Sequence, residues 1–182
     1  MAFSDRTKSA MNQQLMREIE ASYAYLSMAE YCHSKGLTGF GKWLESQSQE
    51  EWEHAMKFRH FIQDRGEAVQ FDAIREPMSG FDSVLDVFER ALDQERAVTQ
   101  NINDLYALAT DEKDFASQSF LNWFVDEQVE EEKSVMGIID WLKTMADSPH
   151  GLYLLDRELG GSLEAGITPD VGAPTGSGDG TA

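Results

Sequence analysis

Residues 40–61 read FGKWLESQSQEEWEHAMKFRHF. Stepping alternately by four and three residues from Phe40 gives Leu44, Gln47, Glu51, His54, Phe58 and Phe61. This is an apolar stripe interrupted at mid-length by a carboxylate and an imidazole one turn apart, and such spacing keeps every member on one helix face. The same step finds three more stripes: Met11, Leu15, Glu18, Ser22, Tyr25, Ala29 and Cys32; Val84, Phe88, Ala91, Glu95, Val98, Ile102 and Leu105; and Leu121, Phe124, Gln128, Glu131, Val135, Ile138 and Leu142. A carboxylate in a buried seam is strongly unfavourable unless something compensates it. Glu18, Glu51, Glu95 and Glu131 fall near the middles of their helices, so antiparallel packing brings them to one height. A cation bound between them is the simplest compensation.

Punctuation along the chain predicts an all-α fold, a four-helix bundle with a short fifth helix. The first helix is expected from about Asp5 to Lys35, stopping at Gly36. The second starts near Thr38, a candidate N-cap, and ends before Gly66. Residues 66–80 form a long connection closed by Pro77 and Gly80. The third helix opens at Phe81-Asp82 and continues to about Thr110, and after a turn at 111–114 the fourth runs from about Asp114 to Asp147. Short turns make the first and second, and the third and fourth, antiparallel hairpins. The long middle connection can cross the length of the bundle. Ser148-Pro149 breaks the fourth helix, and residues 151–159 read as a fifth helix too short to join the bundle. The expected domain covers residues 1–160, followed by a flexible Gly/Ser/Thr/Pro-rich tail over 161–182.

With 15 Lys and Arg against 33 Asp and Glu, the 182-residue chain has a formal net charge of −18. That opposes nucleic acid and anionic membranes as partners and suits a protein that attracts cations. One cysteine, Cys32, excludes an intrachain disulfide framework, and its place on a stripe reads as a buried, inert thiol. The N-terminus MAFSDRTKSAMNQQL has no apolar core of a signal peptide, and no apolar run approaches the roughly 18 residues of a membrane span, so a cytoplasmic protein is expected.

Glu51-x-x-His54 alone is a weak signal; the shared height of four glutamates is the stronger one. Two divalent ions neutralise Glu18, Glu51, Glu95 and Glu131, while His54 and Gln128 are neutral donors. An oxygen-rich shell with one imidazole suits iron or manganese, and a pair of such ions can reduce dioxygen by one electron each. Tyr25 stays open between a core aromatic with a bonded hydroxyl and a redox-active neighbour. Glu50, Glu127 and Glu130 exceed the charge balance. They form either an adjacent, weaker cation site or a solvated face.

Glu18 with Tyr25, Gln49-Glu50-Glu51-x-x-His54, Asp93-Gln94-Glu95-Arg96, Glu127-Gln128-x-Glu130-Glu131-Glu132-Lys133 and Gly151-Leu152-Tyr153 together resemble the bacterial non-haem ferritins over all of the chain except the tail. The resemblance implies a ferritin-like bundle in which Glu18, Glu51 and His54 hold one iron and Glu51, Glu95 and Glu131 the second. Gln128 corresponds to a glutamine beside the second iron, and Glu50, Glu127, Glu130 and Glu131 to a third iron site. It further implies Fe(II) and O2 or H2O2 as substrates, ferroxidase activity, Fe(III) stored as mineral inside a 24-subunit cage, and a fifth helix packed around four-fold axes.

The bacterioferritin pattern has a second Glu-x-x-His, which would need His where Glu130 stands, and a Met haem ligand where Trp52 stands. Both departures imply the non-haem branch and no haem. His33, His60 and His150 match no ligand position. The rivals are a soluble di-iron oxidase or peroxidase of the rubrerythrin kind, whose extra electron-transfer cysteines are missing here, and a structural bundle without metal.

Overall fold

The four long helices form where the stripes place them. In the computed structural model, which describes residues 3–145 and 148–164, α1 spans Asp5–Ser34, α2 Thr38–Asp64, α3 Val84–Asp111, α4 Phe115–Thr144 and α5 Pro149–Glu164. No strand occurs among the described residues. All of the stripe residues are buried except Phe61, and Ile62 takes its place at that end of the core.

The helix ends follow local hydrogen bonding. Ser4 caps α1 by accepting from Thr7 N at 3.0 Å. At its other end Leu37 N bonds Cys32 O and Gly36 N bonds His33 O, with Gly36 at φ 74°, a left-handed position that glycine adopts freely. Two expectations shift. Thr38 is not an N-cap but the first residue of α2; Leu37 stands at the cap with no side-chain bond to give. The third helix starts at Val84 rather than Phe81, because Ser83 Oγ accepts from Asp86 N and Asp86 accepts in return from Asp82 N, both at 3.0 Å. Phe81 stays outside the helix and packs edge-on against Tyr31.

The connection over 65–83 runs along the bundle beside α1. Asn12 and Gln70 exchange hydrogen bonds, Arg75 pairs with Glu20, and Ser27 donates to Met78 O. The strap therefore returns the chain to the end where α2 began, and α2 and α3 run in the same direction. α5 extends beyond the expected 151–159 and past residue 160, where the tail was expected to begin; residues 165–182 lie outside the described residues. It packs on the start of α2, with Leu155 and Leu159 closing one core cluster.

The apolar interior is split in two. One cluster includes Tyr25, Met28, Phe40, Leu44, Phe88 and Val135; the other includes Met11, Leu15, Phe58, Ile102, Leu121 and Phe124. Between them lies the polar layer of buried Glu18, Ser22, Gln47, Glu51, His54, Glu95, Gln128 and Glu131. This division positions the site.

Candidate metal centre

Each helix contributes its carboxylate from mid-length, and the antiparallel packing brings all four together. Glu18 is 0% exposed, Glu95 0%, Glu51 3% and Glu131 7%. Ligand atoms of Glu18, Glu51 and His54 all lie within 4.8 Å of one another. A second group, His54, Glu127 and Glu131, meets the same limit, so His54 stands between the two. His54 Nδ1 is 3.3 Å from Glu51 Oε2.

Glu95 joins neither group, and both its oxygens are engaged within the protein. Tyr25 Oη donates to Glu95 Oε1 at 2.5 Å and Gln128 Nε2 donates to Oε2 at 3.2 Å. Its charge nonetheless acts on Glu18, Glu51 and Glu131, which places it in the same electrostatic unit. Glu50 and Glu127 are half-buried, and each acts electrostatically on Glu131. Glu130 is not brought into the group. Its side chain is 69% exposed and lies 3.7 Å from Lys133. At about 100° per residue, Glu127 sits roughly 40° from Glu131 on the helix wheel and Glu130 roughly 100° away, on the solvent side.

Burial sets the protonation of this layer. It raises Glu18 to about 7 against the hydrogen bond from Gln14 and the influence of the neighbouring Glu51 carboxyl, with Glu95 adding repulsion. It raises Glu131 to about 9, and the charges of Glu95, Glu50 and Glu127 push the same way. Glu51 and Glu95 are also raised, chiefly by burial. Burial lowers His54 to about 4, aided by Lys57, so its imidazole is neutral at pH 7 with a lone pair to offer. Tyr25 is held well above its ordinary value by burial and then by the Glu95 charge, so its hydroxyl keeps its proton. Without a cation the layer is thus partly protonated; a bound cation exchanges for those protons.

Several supporting residues escaped the sequence reading. Gln14, 0% exposed and one turn before Glu18, donates to Glu18 Oε1 at 2.8 Å. Glu18 Oε2 is left with no partner and is free to accept a cation. Ser22 and Ser48 exchange bonds with each other's carbonyls or hydroxyls and fix α1 against α2 at this level. Trp123 meets the His54 ring edge-on at 5.3 Å and is itself covered by Lys57 at 4.0 Å. Gln14 carried a signal, a polar residue four before a ligand on the same face; Trp123 sits one residue off the apolar stripe and carried none.

Comparison with known proteins agrees with this fold. The Ferritin family model, a ferritin-like domain, matches residues 8–145. The chain is 44% identical over 151 residues to a bacterial non-heme ferritin of Staphylococcus epidermidis, covering 83% of this chain and 91% of that protein. It is 40% identical over the same length to one from Staphylococcus aureus. Among solved structures, an open pore ferritin from the hyperthermophilic archaeon Archaeoglobus fulgidus superposes with a TM-score of 0.86 at 43% identity, covering 87% of this chain and 98% of that one.

Proposed function

The chain belongs to the ferritin family, and we propose that it is an iron-storage subunit whose bundle interior oxidises Fe(II) at a two-ion centre and passes Fe(III) on to a mineral store. The observation that carries this is the mid-bundle grouping of Glu18, Glu51 and His54 within 4.8 Å, with buried Glu95 and Glu131 beside it. Iron is the substrate. Glu18, Glu51 and His54 take one Fe(II); Glu51, Glu95 and Glu131 take the second, with Gln128 beside it. Two Fe(II) give one electron each to one dioxygen, which takes up two protons to leave as hydrogen peroxide; H2O2 is the other oxidant the centre accepts.

The protein's part is to set charge and hold geometry. Four carboxylates match two divalent ions, and the protons held on Glu131 and Glu18 leave as the ions enter. Tyr25 and Gln128 hold Glu95 by its two oxygens until a cation competes for them. Glu51, between Glu18 and Glu95 in the electrostatic unit, is the bridging ligand. Glu50 and Glu127 support a third, weaker ion. The acidic chain assembles as a 24-subunit cage in the cytoplasm and takes no haem. Among the described residues no helix is long and apolar enough to cross a membrane.

Native mass together with iron content after aerobic Fe(II) loading tests this reading. A large cage holding far more iron than three ions per subunit is expected. A small oligomer that turns over dioxygen without retaining iron would favour a rubrerythrin-like oxidase instead.

A further inference from the structure

The two oxygens of Glu18 are treated differently. Oε1 accepts from Gln14 Nε2 at 2.8 Å, whereas Oε2, also buried, has no hydrogen-bond partner among the described residues. Gln14 is held from its other end as well, because Arg17 NH1 donates to Gln14 Oε1 at 3.3 Å. A guanidinium can only donate, so the amide oxygen must face Arg17 and the amide nitrogen is turned toward Glu18. Gln14, Arg17 and Glu18 stand at i, i+3 and i+4 on α1 and so share one face of the helix. Gln14 is fully buried. Losing either partner would strand a polar atom away from water, which is unfavourable, so the amide is fixed at both ends.

Arg17 is half-buried and lines the open cavity between α1, α3 and the strap. Glu20, on the same wall, is taken by Arg75, and the bond to Gln14 is the one hydrogen bond of Arg17 among the described residues. No carboxylate therefore accounts for its place. A guanidinium set directly on Glu18 would engage both oxygens and meet its charge, leaving nothing for a cation. The neutral amide between them passes on a single hydrogen bond and leaves the charge and the second oxygen available. Glu95, whose two oxygens are held by Tyr25 and Gln128, shows the opposite arrangement. We propose that Gln14 is a positioning residue of the two-ion centre and Arg17 its anchor, together holding Glu18 Oε1 so that Oε2 alone is presented to the ion shared with Glu51 and His54. The proposal rests on the ferritin reading for the centre itself. Ligand atoms of Glu18, Glu51 and His54 lie within 4.8 Å of one another, so a carboxylate free to turn would change both the reach and the number of oxygens it offers that ion.

Co(II) reports on this position without oxidation chemistry. Anomalous diffraction from Co(II)-soaked crystals of the assembled wild type is expected to show an ion held by one oxygen of Glu18, with Oε1 still on Gln14. Gln14→Met, close in length but without a hydrogen-bond donor, should let Glu18 turn or bind through both oxygens. Its visible Co(II) spectrum should change, and calorimetric titration should find that position weakened roughly 10- to 100-fold, with the position at Glu95 and Glu131 retained. Arg17→Met should weaken the same position, and Arg17→Lys, which keeps a charged donor, should restore it. Weakening of both positions alike, with a lower melting temperature of the metal-free variants, would mean a purely structural role and overturn the proposal. Wild-type affinity with an unmoved Glu18 in Gln14→Met also overturns it, as does a wild-type Glu18 that binds through both oxygens; each of these leaves the two-ion centre standing. No bound Co(II) in the wild type overturns the ferritin reading and this proposal together.

Discussion

The Asp156 carboxylate on α5 accepts hydrogen bonds from the backbone N–H of Gly39, at 2.8 Å, and of Phe40, at 3.0 Å, in the first turn of α2. Leu37 at the N-cap has no side-chain acceptor, so α2 takes its cap from a residue more than a hundred positions away. The partial positive charge of the helix start favours a carboxylate there. The approach is close: a Cβ on Gly39 would lie 1.6 Å from Asp156 O, and one on Gly160 would lie 3.3 Å from Gly39 Cα.

Asp156→Ala should therefore lower stability by about 1–2 kcal/mol, the worth of an N-cap, and raise hydrogen exchange across residues 149–164 more than in the rest of the bundle. Gly39→Ala should unseat α5 more thoroughly, since backbone rather than a flexible side chain stands in the way. Urea unfolding and exchange mass spectrometry measure both. Equal exchange in wild type and Asp156→Ala would show that the apolar contacts of Leu155 and Leu159 hold α5 without the cap.

The bundle and its four mid-helix carboxylates were legible because both follow from periodicity, a property of neighbouring residues. What depended on distant partners was not. Thr38 reads as a cap until Asp156 is seen to supply that role from across the fold. Phe81 reads as the first turn of a helix, but the reciprocal bonds of Ser83 and Asp86 start the helix later. Glu130 shares a sequence motif with Glu127 and Glu131, yet the helix turns it toward Lys133 and solvent.

Glu51→Ala removes the ligand that the proposed two-ion centre shares between its two positions. Rapid oxidation of the first two Fe(II) per subunit should disappear while assembly persists, as followed by stopped-flow absorbance and native mass. Glu51 is buried with its ordinary acidity suppressed and repelled by Glu95 and Glu18, so its loss should leave the metal-free bundle as stable as the wild type or more so. A variant that oxidises Fe(II) at the wild-type rate would remove Glu51 from the centre.

By the sequence resemblance Trp52 stands where the bacterioferritin pattern has its haem ligand, and it is 45% exposed. An indole N–H can only donate, whereas haem iron needs an axial electron pair. Haem titrated into the assembled protein should give no six-coordinate spectrum. Trp52→Met should be the variant that acquires one, and a haem spectrum already present in the wild type would refute the assignment.

The metal-free protein should lose stability as pH rises above 6.5, and metal should abolish that loss. Glu131 is raised from 4.5 to about 9 and Glu18 from 4.5 to about 7. A raised carboxylate binds its proton more tightly when folded, so its contribution is complete below the unfolded value and drains away as pH climbs to the folded one. His54 runs the other way. Lowered from 6.5 to about 4, it contributes fully above 6.5 and loses that contribution as pH falls toward 4. Below 6.5 the imidazole therefore opposes the carboxylates. From 6.5 to about 9 only the carboxylates act, and Glu131 alone sets a slope of up to about 1.4 kcal/mol per pH unit. Bound Co(II) or Zn(II) replaces the protons, so the loaded protein should show a flat profile over the same window. Urea midpoints of both forms at pH 6.5, 7.5 and 8.5 decide the matter; parallel slopes would mean that the carboxylates of the polar layer are already ionised without metal.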